Sequence, residues 1–201
     1  MRKGVNEMEQ RVIVAGFGGQ GVLFVGQLLG YSAMVKGLNA TWIPSYGPEM
    51  RGGTANCSVK LGDEEIVSPF ITRTTHLFAF NEPSLLRFLP SVEPDGVVLV
   101  NGSLIGADSL KNVSSLTVVV PALEIAEQLG ARNSWNMVML GVYLQTQTLL
   151  SRENLKQGMG KMVGQKHPER IESNLQAISA GMKWMSEQGG FIPNEIVAAR
   201  H

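Results

Sequence analysis

The residues with the clearest chemical potential form one run, Gly16-Phe17-Gly18-Gly19-Gln20-Gly21. Its Gly16-x-Gly18-x-x-Gly21 spacing satisfies the dinucleotide-binding fingerprint. Glycines let backbone N–H groups approach a phosphate, and a helix starting just after the run adds partial positive charge. Between residues 10 and 48 the chain holds Arg11 and Lys36 but no acid, so nothing there opposes an anion. The fingerprint also calls for an acid at the end of the second strand to hold a ribose. The first Asp or Glu after Glu9 is Glu49, in a loop beyond Pro44, which disfavours NAD and FAD. Two readings stay open. The glycines pack a helix tightly on a strand, or Gly16, Gly18, Gly19, Gln20 and Gly21 meet a phosphate-bearing ligand or a neighbouring subunit.

A second unusual stretch is Tyr46-Gly47-Pro48-Glu49-Met50-Arg51-Gly52-Gly53-Thr54. Read plainly, it reverses the chain and carries a Glu49–Arg51 surface pair worth about 0–1 kcal/mol. Tyr and Arg are also enriched at interface hot spots, so Tyr46, Glu49, Arg51, Gly52 and Gly53 form a candidate interface, with Arg51 a candidate charge partner for the anion. The single cysteine, Cys57, excludes an internal disulfide, a four-cysteine iron–sulfur cluster and a thiolate zinc site. It shares strand parity with Val59 and Leu61, which marks it as a packing residue rather than a nucleophile. His76, His167 and His201 are too scattered for a metal triad. Met137, Met139, Met159 and Met162 read as core or subunit-contact fillers. No residue is assigned a catalytic role, and none a metal.

These residues need elements to position them. Val12 to Ala15 is a buried-type strand, and Val22, Val25, Leu29 and Ala33 recur at helical spacing up to a Gly37 terminator. Ala40 to Ile43 reads as the second strand. Ala55, Cys57, Val59 and Leu61 alternate with polar residues in the third, and a Gly62-Asp63 turn into Glu65-Ile66-Val67 suggests a hairpin. Leu77–Phe80, Val97–Val100 and Thr117–Val120 are further short strands, with a helix over Pro83–Leu89 between the first two. The last third is helical. One helix covers Ala122–Leu129, another runs from a Ser134 cap to about Leu150, a third starts near Ser151 with a partial cap because Asn154 replaces the usual Glu or Gln, and the last spans Pro168 to Gly189. The pattern predicts an α/β fold: a single three-layer domain over residues 11–190, its mixed sheet including an antiparallel hairpin. A flexible N-terminus (1–10) and a C-terminal tail (191–201) flank it.

Composition fits that picture. The 201 residues carry 17 basic and 17 acidic side chains, so a nucleic-acid partner, which needs surplus positive charge, is not expected. Hydrophobic content of 44% with 17% charged residues describes an interior-rich chain with a surface suited to being covered. No apolar run reaches membrane-spanning length and no signal core stands at the start, so a cytoplasmic location is expected.

The two glycine-rich stretches together, with Thr54-Ala55-Asn56-Cys57, resemble the gamma subunit of 2-oxoacid:ferredoxin (acceptor) oxidoreductases. The likeness continues through Ile66-Val67-Ser68-Pro69, Asn81-Glu82-Pro83-Ser84-Leu85 and Asn136-Met137-Val138-Met139-Leu140-Gly141, over about residues 11 to 185. The Thr54–Cys57 version looks most like the 2-oxoglutarate branch, with the branched-chain and pyruvate enzymes as alternatives. Lys60 and His76 depart from the common arginine and aspartate of that pattern. The resemblance implies a complex that decarboxylates a 2-oxoacid with thiamine diphosphate and magnesium, passes electrons through 4Fe-4S clusters to ferredoxin, and captures the acyl group on coenzyme A. This chain has no Gly-Asp-Gly motif and one cysteine, so the redox centres would lie on alpha and beta partners and a ferredoxin-like delta subunit. Its own expected share is coenzyme A as co-substrate at the glycine loop, with no tightly bound cofactor. A purely architectural subunit is the competing expectation.

Overall fold

The computed structural model describes residues 9–47, 53–111, 113, 116–163 and 168–189. Glu49, Arg51, Gly52, His167 and His201 lie outside these, as do residues 1–8 and the tail over 191–201. Six strands make one mixed sheet: β1 (Glu9–Phe17), β2 (Asn39–Tyr46), β3 (Thr54–Gly62), β4 (Thr74–Ala79), β5 (Val92–Asn101) and β6 (Leu116–Val120), in the order β2-β3-β1-β4-β5-β6. β3 is antiparallel to both β2 and β1, whereas β1, β4, β5 and β6 run parallel. The helices are α1 (Val22–Lys36), α2 (Glu82–Phe88), α3 (Ala122–Gln128), α4 (Trp135–Leu144), α5 (Arg152–Val163) and α6 (Pro168–Glu187).

Strand alternation divides the core into two unequal layers. Val12 and Val14 of β1 face α1 and the helices of the last third, while Ile13 and Ala15 face Leu77, Ala79 and Leu85 of α2. The fold is therefore three-layered but lopsided. α1 is buried on more than one side because β1, β2 and β3 cover one flank and α5 the other. It ends where Gly37 turns left-handed at φ +85° and Leu38 N–H donates to the Ala33 carbonyl at 3.0 Å.

Three sequence expectations change. The hairpin after Gly62 does not form. β3 already has β2 on one edge and β1 on the other, so no edge is free for Glu65–Val67, and the antiparallel pairing uses β2 instead. β2 runs through Pro44 to Tyr46, which an edge strand allows because a proline there removes no ladder bond on its open side. The helix expected to reach Leu150 stops at Leu144. Gln147 then holds Leu150 through its side chain, accepting from the Leu150 N–H and donating to its carbonyl, both at 2.8 Å. Ser151 and Asn154 do cap each other reciprocally, at 3.0 and 3.2 Å, so asparagine serves where glutamate was expected.

Candidate functional site

β1 and β4 are parallel neighbours whose following helices lie on opposite faces of the sheet. Chains that diverge in this way open a crevice at the strands' carboxyl ends, where α/β proteins bind ligands. The glycine run occupies that position. Its conformation divides the glycines by task. A Cβ on Gly16 would meet Gln20 Oε1 at 2.6 Å and Phe80 Cβ at 2.9 Å, so this glycine is required for packing. Gly19 and Gly21 have φ of +95° and +79°, where L side chains are strained. Gly18 has no such φ among the described glycines.

Hydrogen bonds fix the loop and limit what it offers. Gly18 N–H donates to the Gly53 carbonyl at 2.9 Å and Gln20 N–H to the Phe17 carbonyl at 3.1 Å. The Gln20 side chain does not face outward as a donor arm. Its Oε1 accepts from Phe17 N–H at 2.6 Å and from Asn81 Nδ2 at 3.2 Å. Asn81 is the N-cap of α2, accepting from Ser84 N–H at 3.0 Å, so Gln20 ties the ends of β1 and β4 together. The expected cradle thus narrows to the Gly19 and Gly21 amides and the first-turn amides of α1, which no side chain caps and no acid accompanies.

Beside this loop lies a cleft of about 650 Å³, lined by Phe17, Gly18, Gly19, Gly21, Val22, Leu23, Phe24, Tyr46, Gly53, Thr54 and Ala55. Tyr46 is 67% exposed and stands at its mouth. Gly47 N–H donates to the Thr54 carbonyl at 3.0 Å, so both described ends of the 47–53 loop reach the cleft, although Arg51 and Glu49 fall outside the described residues. The cleft combines apolar walls with the positive end of a 15-residue helix dipole. Leu23 and Phe24 were not singled out in the sequence as site residues. Their place in the first turn after Gly21 was the available signal.

Cys57 shares the β3 face of cleft-lining Ala55 but is not itself among the lining residues, being covered by α1. It is fully buried, its Sγ 3.5 Å from the Val22 carbonyl, and burial pushes its thiol up to about 12. A Cβ on Gly26 would collide with that sulfur, which explains the glycine. His76 is buried against the edge of Tyr143, ring centroids 5.1 Å apart, and desolvation lowers it to about 4. Tyr143 is itself shifted upward by burial. Met137, Met139 and Met159 are core residues. Among the described residues no three His, Cys, Asp or Glu side chains are placed to hold a metal. One buried cysteine does not fit an iron–sulfur cluster, and among the described residues the cleft is lined by no acidic group to fit a magnesium-bound diphosphate.

The site thus defines a class: an α/β domain with a glycine-rich turn, a helix N-terminus without a side-chain cap and a cleft together at its switch point. The chain belongs to the pyruvate ferredoxin/flavodoxin oxidoreductase family, whose pattern it matches over residues 11–184. It is 39% identical over 177 residues to ketoisovalerate oxidoreductase subunit VorA of Methanothermobacter marburgensis, covering 88% of this chain and 36% of that one. It is 29% identical over 189 residues to 2-oxoglutarate synthase subunit KorC of Methanocaldococcus jannaschii, covering 93% of this chain and 100% of that one. The chain spans about a third of the length of the VorA relatives it matches. The fold is shared with a 2-oxoglutarate:ferredoxin oxidoreductase from Magnetococcus marinus (TM-score 0.80, 21% identity, 93% of this chain and 32% of that one). It is shared also with a keto/oxoacid ferredoxin oxidoreductase gamma subunit from Geobacter sulfurreducens (TM-score 0.73, 22% identity, 87% and 95%). The gamma-type resemblance holds. Its leaning toward 2-oxoglutarate does not gain support, since the VorA sequences are nearer in identity than the KorC sequences.

Proposed function

We propose that this chain is the gamma-type component of a 2-oxoacid:ferredoxin oxidoreductase, and that its glycine-loop cleft receives the phosphate-bearing part of coenzyme A. The observation that carries the reading is the cleft itself. It is within the 300–1,000 Å³ range of small-molecule sites, apolar along its walls, and closed at one end by an uncapped, acid-free helix N-terminus. The apolar walls suit a long, weakly polar thioester arm, and the amides suit its phosphates. Thiamine diphosphate with magnesium and the 4Fe-4S clusters belong to alpha and beta partners and a ferredoxin-like delta subunit, with ferredoxin as acceptor, in the cytoplasm. The VorA relatives are named for ketoisovalerate, so a branched-chain 2-oxoacid is the first substrate to assay and 2-oxoglutarate the second.

The test uses the assembled complex. Tyr46→Ala and Arg51→Ala should each raise the apparent KM for coenzyme A by about tenfold, some 1.4 kcal/mol, while decarboxylation without coenzyme A changes little. Unchanged coenzyme A affinity in both variants refutes the reading. It would favour the architectural alternative, for which the packing role of Gly16 and the internal hydrogen bond of Gly18 already speak.

A further inference from the structure

β1 and β4 pair in parallel as far as Ala15 and Ala79, and there the ladder ends. The Ala15 carbonyl accepts from Phe80 N–H at 2.9 Å. Phe17 N–H, two residues on and turned toward the same neighbour, emerges past the last ladder pair. Gln20 supplies the acceptor instead, its Oε1 taking the Phe17 N–H at 2.6 Å. An N–H can only donate, which fixes the orientation of the Gln20 carboxamide. The second partner of that oxygen, at 3.2 Å, must then be a donor, and it is Asn81 Nδ2. That leaves Asn81 Oδ1 to accept from Ser84 N–H at 3.0 Å and cap α2. Both ends of the Asn81 carboxamide are therefore engaged, on a residue only 5% exposed. Gly16 makes room for the arrangement, since a Cβ there would stand 2.6 Å from Gln20 Oε1.

We propose that Asn81 is a positioning residue for the cleft: by holding Gln20 it fixes the turn that carries the Gly19 and Gly21 amides. The role rests on the coenzyme A reading of that cleft. Gln20 lies between the two glycines, and both have positive φ, a conformation glycine enters and leaves without strain. Such a turn wanders unless something outside it holds it. Gln20 is the one side chain within Gly18–Gly21, and the ends of β1 and β4 grip it from two sides. A ligand that meets a turn already held loses less free energy to ordering it, so Asn81 contributes affinity without touching the ligand. The chemistry demands an amide at this position. A carboxylate would cap α2 as well but has no proton to give Gln20, and a serine would cap α2 but is too short to reach.

Asn81→Asp and Asn81→Ser test it in the assembled complex, because both keep an N-cap for α2 and remove the donor to Gln20. Each should leave the melting temperature close to that of the wild type. Each should raise the apparent KM for coenzyme A at least about fivefold, with a smaller change in kcat. Leu85→Ala opens space on the buried face of α2 without touching Gln20, so it should lower the melting temperature more and leave that KM in place. In hydrogen exchange on the full chain, Phe17 N–H should exchange at least about tenfold faster in both Asn81 variants. An unchanged KM in the Asn81 variants, while Tyr46→Ala raises it, overturns the positioning role and leaves the coenzyme A reading standing. Undiminished protection of Phe17 N–H overturns the role as well, and so does a KM raised equally by Leu85→Ala. A KM unmoved by Tyr46→Ala and Arg51→Ala removes the coenzyme A reading and this role with it.

Discussion

At the scale of single residues, burial has decided chemistry more than identity has. His76 stands where the family resemblance expects an aspartate, and the structure shows what histidine does there. Its Nδ1 lies 3.1 Å from Thr75 Oγ1, its Nε2 is buried without a partner, and its ring sits on the edge of Tyr143. Desolvation disfavours the imidazolium and lowers it from the usual 6.5 to about 4. Between those values the unfolded chain binds a proton that the folded chain refuses. Stability from this group is therefore complete above about pH 6.5 and declines as pH falls toward 4, by up to about 3 kcal/mol. Urea denaturation across that window should show a steeper acid loss for the wild-type chain than for His76→Gln. Equal slopes would mean that His76 protonates without penalty. Cys57 tells a parallel story: strand parity alone revealed its burial, because Ala55, Val59 and Leu61 share its face. The contact that excludes a side chain from Gly26 was not legible, since 31 positions separate the two residues and only the packing of α1 on β3 joins them.

At the scale of elements, local signals were readable and partner choice was not. The α1 boundaries followed from Gly21 and Gly37, and α6 from Pro168 and Gly189, because caps are local. The supposed hairpin after Gly62 had proper turn chemistry, yet strand pairing is a competition that β1 and β2 win. Neither did the sequence disclose the crossing of α4 and α6. A Cβ on Gly141 would run into the Ile178 carbonyl, and one on Gly181 into the Val138 carbonyl, so the two backbones touch through a pair of glycines. Helix propensity predicts that Gly→Ala stabilises by about 1 kcal/mol at either position. The clash falls on backbone oxygens that cannot rotate away, and overpacking of this kind costs roughly 1–3 kcal/mol. Packing should win. Gly181→Ala is expected to lower the urea midpoint, whereas Gly160→Ala on α5, where the added methyl meets open space, should raise it slightly. If Gly181→Ala is the more stable of the two, the close crossing is not a stability determinant.

At the scale of the whole molecule, the sheet has two working ends. The carboxyl end of β1 carries the cleft. At the opposite end, the connection from β3 to β4 leaves Val67 and Phe70 95% and 74% exposed, on a chain with few charges to keep such a surface apart from others. We expect a further chain to cover this surface. The VorA relatives are about three times as long as the stretch they share with this chain, which fits a domain built to work against further protein. Oxidising a 2-oxoacid releases two electrons that need a carrier. The sequence supplies one cysteine, held protonated by burial, and no described group able to hold a metal. Among the described residues, the cleft is lined by no acidic group that would anchor a magnesium-bound diphosphate. The purified chain, given thiamine diphosphate, magnesium, coenzyme A and either a branched-chain 2-oxoacid or 2-oxoglutarate, should therefore not reduce a viologen dye. Adding the alpha and beta partners should restore reduction, and dependence on coenzyme A should track the occupancy of this chain in the complex. Substrate-dependent dye reduction by the single chain would place a redox centre in it, and full coenzyme A-dependent turnover by the partners without it would remove this chain from the catalytic cycle.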